Sequence, residues 1–211
     1  MPRASRAVAE SHRREILAAA ARLIRERGPE QVSVPEFMAA AGLTHGGFYR
    51  HFASKDDLVG QAVASAFATR QAVLDELVDD APDDEWATFL DYYLSERHRD
   101  HPAEGCAAVA LAPTAGRGDS DAVRAAYTDG VRAMTAGLQR LRHHDPEHEQ
   151  DPEHQQDPEH EQDPSAEALA DLATLVGALA LSRACDDPDL SRNILTAARE
   201  RLLESDPHDH H

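Results

Sequence analysis

The sequence predicts an all-α protein, and three observations carry that reading. Its apolar segments are rich in Ala, Leu, Arg and Glu, residues that lose little in a helix. Runs of Val, Ile, Thr or Tyr with period two are absent, so no strand pattern is visible. Gly and Pro mostly mark breaks between the apolar segments. With 211 residues, 41% of them hydrophobic, the chain suits one domain or two small ones and buries a real core.

The expected elements run as follows. Residues 1–7 read as a basic arm. Residues 8–27 form an amphipathic helix with Ile16, Ala20, Leu23 and Ile24 on one face, ended by Gly28-Pro29. Ser33 with Glu36 three residues on makes a capping-box pattern for a short helix that ends near Gly42. Thr44 opens another short helix. Ser54, with Asp57, opens one that runs to about Asp79. Further helices are expected at about 84–99 and 103–115, broken by Pro102 and Pro113, then at 120–142, 165–185 and 188–204, the last two split by Asp187-Pro188.

Residues 145–164 are a repeat, DPEHEQ-DPEHQQ-DPEHEQ-DP. A proline every six residues forbids a regular helix, and the absence of apolar side chains forbids a core. The stretch 143–164 is therefore expected to be a disordered, self-repelling linker. The alternative is a metal-binding tract using His148, His154 and His160, with His143 and His144. Period-six histidines lack the compact spacing of zinc sites, so no dedicated metal site is expected.

Net charge is −18, which at first argues against nucleic acid. The distribution reverses that inference. Residues 1–27 carry seven Arg against three Glu, a net +4, whereas residues 145–164 carry nine Asp or Glu and no Lys or Arg. Half of the excess is thus local, and a basic face elsewhere is allowed. The N-terminus is basic and then apolar, superficially like a targeting peptide. Glu10 and Glu15 interrupt it and Arg22 cuts the apolar run, so an amphipathic helix is expected. No charge-free apolar run approaches 20 residues, so no membrane span or membrane partner is expected. Cys106 and Cys185 form no disulfide framework, which fits a reducing, cytoplasmic setting. Phosphate-loop, zinc-enzyme and GxSxG motifs are absent; neither an enzyme nor a cofactor is expected.

The stretch GLTHGGFYRHF, residues 42–52, poses the functional question. Helical glycine costs about 1 kcal/mol against alanine, and here two are adjacent, Gly46 and Gly47. Helices this short do not persist alone, so they must pack on the longer helices either side. Three packed helices with a tight turn before the third make a helix-turn-helix, whose third helix enters a DNA major groove. Glycines at its start let backbone approach bases and phosphates. Phe48 and Phe52, four apart, face the small core, while Tyr49 and His51 point polar tips outward. Lys55, the only lysine in the chain, opens the next helix, where it opposes the helix dipole unless a phosphate lies near. The bland alternative is that Asp56 and Asp57 compensate Lys55 and the glycines only mark a turn.

The span SVPEFMAAAGLTHGGFYRHFASKDDLVGQAV resembles the DNA-binding domain of TetR-family transcriptional regulators. The resemblance covers roughly residues 8–70, with the helix-turn-helix at about 33–52. It rests on the alanine-glycine turn, the Phe48-Tyr49 and His51-Phe52 pairs, and the Ser-Lys-Asp-x-Leu start of the next helix. It implies an N-terminal three-helix domain and a C-terminal helical ligand-binding and dimerisation domain over 71–211. It implies that Ser33, Thr44, Tyr49, His51 and Lys55 hold phosphates of double-stranded operator DNA. His45, Gly46 and Gly47 would face the bases, with Arg50 contributing. A homodimeric repressor released by an unknown small-molecule effector is the implied function; a metal-responsive protein using the histidine repeat is the alternative.

In the second half, residues 168–181 are apolar almost all round, as in a helix buried on more than one side. Leu169, Leu172, Val176 and Leu179 make a seam beside Gly177. Leu190, Ile194, Ala198 and Leu202 make a second, and a dimer interface or a monomer core accounts for both. Trp86, Phe89, Tyr92, Tyr93, Tyr127 and Met134 are candidate effector-lining residues, or core. Cys106 follows Gly105 at an expected helix start, a setting that favours reactive thiols. Some TetR-family members sense electrophiles through a thiol; the alternative is an ordinary buried cysteine.

Overall fold

The computed structural model describes residues 2–79, 85–143 and 165–204. Among these the regular structure is helical, without a strand. The α-helices are α1 (Pro2–Arg27), α2 (Val34–Ala40), α3 (Lys55–Asp79), α4 (Glu85–Tyr93), α5 (Glu96–Asp100), α6 (Ala107–Arg117), α7 (Asp121–His143), α8 (Ala166–Ala184) and α9 (Pro188–Glu204). Short 3-10 helices cover Pro29–Gln31, His45–Arg50 and Pro102–Glu104. No described helix is long and apolar enough to cross a membrane.

The sequence cues account for most boundaries and fail at four. Residues 2–7, expected as an arm, continue α1; Arg3, Ala4, Arg6 and Ala7 favour helix and nothing breaks it. α1 ends where Gly28 takes φ +78°, a left-handed backbone that a side chain disfavours. Residues 45–50 form a 3-10 helix rather than an α-helix. The expected helix 84–99 divides at Ser95, which caps α5 by accepting from the His98 backbone N–H at 3.1 Å. Pro113, expected to end a helix, lies inside α6, which stops instead at Gly118 with φ +74°.

α3 belongs to both halves of the molecule. It packs on α1 and on α7, the second of these being the most extensive helix pair among the described residues. Small residues let α3 and α7 touch. A Cβ on Gly60 would lie 3.2 Å from Ala122 Cβ, and one on Gly130 only 2.3 Å from the Phe67 ring. Phe67 therefore sits directly over the backbone of α7.

At the far end, a buried polar network joins four helices. Arg142 on α7 is 3% exposed and Asp171 on α8 is 5% exposed. Arg142 Nε donates to Asp171 Oδ2 at 2.5 Å, and Nη1 donates to Glu167 at 3.0 Å. The guanidinium stacks 4.7 Å above the Trp86 ring of α4, whose indole N–H donates to the Leu202 carbonyl of α9 at 3.3 Å. Burial pushes the Asp171 carboxyl up, against the opposing pull of Arg142.

The acidic repeat, expected to be disordered, lies outside the described residues. Its flanks are informative. The Ser165 N–H donates to Gln139 Oε1 at 3.3 Å, so α8 begins beside the last turn of α7. Deleting residues 145–164 leaves His144 and Ser165 to join the two helices, at the short end of the roughly 2–5 residues common in helical hairpins. The shortened protein is expected to melt normally and to bind DNA within a few-fold of the parent. Complete loss of DNA binding in a gel-shift assay would contradict this.

The two outer seams are only partly as expected. Leu172, Leu179 and Leu202 are buried within the protomer. Leu169, Leu181 and Leu190 are exposed, and Val176, Gly177, Ile194 and Ala198 are half-buried. A helix apolar on all sides does not reveal which stripe faces inward, so the sequence does not separate Leu172 and Leu179 from Leu169.

Candidate nucleic-acid interface

The helix-turn-helix is built from short-range rules. Ser33 closes a complete capping box: its hydroxyl accepts from the Glu36 N–H at 3.4 Å, and its own N–H donates to Glu36 Oε2 at 2.8 Å. Those bonds, with Arg27 at 3.3 Å, hold the Glu36 carboxyl below its usual range. α2 buries Phe37 and Met38. It ends at Gly42, φ +72°, where the Leu43 N–H returns to the Met38 carbonyl at 2.9 Å. The chain is thereby turned sharply into Thr44.

The segment 44–50 forms a ridge. Phe48 and Phe52 anchor it in the core at 1% and 2% exposure, with ring centroids 5.8 Å apart. Thr44 holds the N-cap position in extended conformation without a side-chain cap bond. Thr44, His45, Gly46, Tyr49 and Arg50 are exposed, Tyr49 to 75%. Neither glycine is required by the fold. Both have ordinary φ; a Cβ on Gly46 would meet nothing within 4 Å, and one on Gly47 would make an ordinary 3.6 Å contact with Met38.

Arg13, which sequence reasoning did not single out, fixes the far end of this ridge. Its Nη1 donates to the His51 carbonyl at 2.7 Å, its guanidinium lies 4.9 Å over the Phe52 ring, and Nη2 donates to Gln61 Oε1 on α3. Gln61 passes the link to Asp57 at 2.7 Å, and Asp57 accepts from the Ala53 N–H at 2.9 Å. The available signal was Arg13 standing three residues before Ile16, on the buried stripe of α1. The His51 imidazole is half-buried, and burial, followed by His12, Arg13 and Arg50, pulls its pKa down. In the free protein this favours the neutral, hydrogen-bonding form of the ring.

The remaining expected residues fall in different places. Ser33 stands at the start of α2 with its hydroxyl engaged by Glu36 at 2.7 Å. Lys55 opens α3 and lines a hollow with Glu30, Asp56 and Asp119, toward the α6–α7 junction. Trp86, Phe89 and Tyr93 form a ladder of rings at 5.6 and 5.5 Å inside the core. Tyr127 donates to the Ala108 carbonyl at 2.9 Å, and Met134 borders a shallow groove between α3 and α7. Cys106 is fully buried, its backbone N–H bonded to His98 Nε2 at 2.9 Å. Of the expected effector-lining set, Tyr92 lines a cavity of about 400 Å³ beside Arg25, Arg97 and His98. Among the described residues no group of three or more His, Cys, Asp or Glu is placed to hold a metal; the repeat's histidines lie outside them.

A capped three-helix unit presenting an exposed, glycine-led ridge, carried on a larger helical body, is the architecture of a helix-turn-helix regulator. Residues 16–62 match the family model of bacterial regulatory proteins, tetR family. Residues 16–62 thus carry the N-terminal domain of that family, and the fold of the described residues is the one its solved members share. Similar structures include reduced E. coli NemR, with TM-score 0.71 and 21% identity over 92% of this chain and 97% of that one. A TetR-family regulator from Cytophaga hutchinsonii has TM-score 0.71 and 18% identity, covering 95% and 98% of the two chains. One from Agrobacterium tumefaciens has TM-score 0.68 and 20% identity, covering 93% and 97%. No curated protein sequence matches the chain.

Proposed function

We propose that the protein is a ligand-responsive repressor that binds a palindromic operator as a homodimer and is released by a small-molecule effector. The observation that carries the DNA reading is the ridge 44–50, with two glycines that the fold does not need and an exposed Tyr49 and Arg50 beside them. Backbone that is bare without an internal reason suits close approach by an external surface. Thr44, Tyr49, His51 and Lys55 would position the phosphates and His45, Gly46 and Gly47 the bases, with Ser33 and Arg50 at the margins.

Lys55→Ala tests this reading. Selection from random DNA supplies the operator. Affinity should fall alike for operator and unrelated DNA, because a phosphate contact carries no sequence information. The slope of log affinity against log salt should flatten by about one unit per subunit. An unchanged slope would remove Lys55 from the interface.

The dimer reading rests on the outer faces of α8 and α9. Leu169, Leu181 and Leu190 are 47%, 59% and 49% exposed, beside half-buried Val176, Gly177, Ile194 and Ala198. Gly177 has open space where a Cβ would be, so a second helix can come close. Two such faces related by a two-fold axis would form a four-helix bundle, with half-sites about one DNA turn apart. Leu181→Glu is expected to yield a folded monomer by sedimentation at micromolar concentration. If the unaltered chain is already monomeric there, the dimer reading fails.

A further inference from the structure

The cavity of about 400 Å³ lies where α1 meets α3, α4, α5 and the 3-10 turn Pro102–Glu104. It is a seam between the DNA-binding half and the rest of the molecule. One side is apolar, made by Ala66, Val73 and the Tyr92 ring. Tyr92 stacks on His98 at 5.8 Å and 23°. His98 contributes an aromatic edge rather than a charge, because both ring nitrogens are used. Nδ1 donates to the Tyr93 carbonyl at 2.7 Å, and Nε2 accepts from the Cys106 N–H at 2.9 Å, which together require the neutral ring.

The opposite side is cationic. Arg25, Arg97 and His101 line it, with Glu104 as the only carboxylate among the lining residues. The Arg97 guanidinium has no hydrogen bond or ion pair among the described residues. Two guanidiniums against one carboxylate leave a single net positive charge, and Glu104 would repel a second charge on a ligand. The planar guanidinium matches a carboxylate in two parallel hydrogen bonds. The volume sits at the small end of the ~300–1,000 Å³ common for ligand sites. By contrast, the groove between α3 and α7 is lined largely by alanines and offers only Gln71 and Asp129 as polar groups.

We propose that this cavity binds a singly charged aromatic carboxylate, its ring against Tyr92 and Val73 and its carboxylate toward Arg97 and Arg25. Resting on the ligand-responsive reading above, this is the effector site. The coupling to DNA is local. Arg25 Nε of α1 donates to the Ala103 carbonyl at 2.8 Å, tying the DNA-binding half to the 3-10 turn. A carboxylate that recruits Arg25 competes with that tie and changes how α1 sits on its neighbour.

The test compares cinnamate with cinnamamide, of nearly the same shape and without the charge, by titration calorimetry on the full chain. Cinnamate is expected to bind once per protomer, with cinnamamide at least tenfold weaker. Arg97→Ala, at an exposed side chain, should fold normally and weaken cinnamate at least tenfold, with Arg97→Lys in between. Cinnamate should also lower operator affinity at least tenfold. No cinnamate binding at about millimolar concentration, equal binding of the amide, or indifference to Arg97→Ala overturns the site. Arg97-dependent binding that leaves operator affinity unchanged overturns its effector role. Binding of cinnamate by a chain that recognises no DNA would instead sink the regulator reading and leave the site standing.

Discussion

Gly46→Leu is expected to lower operator affinity about 100-fold, or about 2.7 kcal/mol, while the melting temperature barely moves. In the free protein nothing lies within 4 Å of the position a Cβ would take, and φ is in the ordinary region. The leucine side chain would point into solvent from an exposed residue, where substitutions change stability by about 0.5 kcal/mol. On DNA the same space would be filled by a base edge or phosphate. Loss of affinity in a stable variant thus separates an interface role from a structural one. A Gly46→Leu protein that binds its operator normally would show that this glycine faces away from DNA.

Arg142→Ala is expected to be the most damaging single change at a distance from the ridge, at about 3–5 kcal/mol of stability. It would strip two hydrogen bonds from a carboxylate that is 5% exposed and remove the cation from the Trp86 face. The loss is large beside a total of about 5–15 kcal/mol. The pH dependence gives a second readout. Burial already raises Asp171, and without Arg142 it would rise further. An acid whose folded pKa is raised stabilises the fold while protonated and loses that contribution as pH climbs from the unfolded value through the folded one. The deficit of the variant should therefore shrink on acidification into the carboxylate range and be greatest at neutrality. Denaturant melts across that range would check it; a pH-independent deficit would mean that Asp171 is not left charged in the core.

Much of the architecture was legible because it rests on local chemistry. The Ser33–Glu36 box, the Gly28 and Gly42 stops and the Phe48–Phe52 spacing all act within a few residues, and each appears as read. What depended on distant partners was not legible. Arg13 looks like one of seven arginines in the first 27 residues until the His51 carbonyl and Gln61 come to meet it. Arg142 and Asp171, 29 positions apart, carry no sequence sign that they will be buried together. The aromatic residues Trp86, Phe89 and Tyr93 looked equally suited to core or cavity, since composition does not distinguish a ring that lines a space from one that fills it. Cavity chemistry came instead from arginines on α1 and α5, whose convergence requires the tertiary fold. The direction of α8 was ambiguous for the same reason that made the helix easy to find: it is apolar on every side.

The glycines of α3 and α7 have a mechanical consequence. With Phe67 seated against the backbone at Gly130, and Gly60 against Ala122, neither helix can slide along the other without a collision. The pair is stiff in shear. α3 has 25 residues and so is a rod about 37 Å long, one end of which carries the ridge and its Arg13 brace. A few degrees of tilt applied to the far part of α7 would reach Lys55 as a displacement of ångströms, with little dissipated in slip between the two.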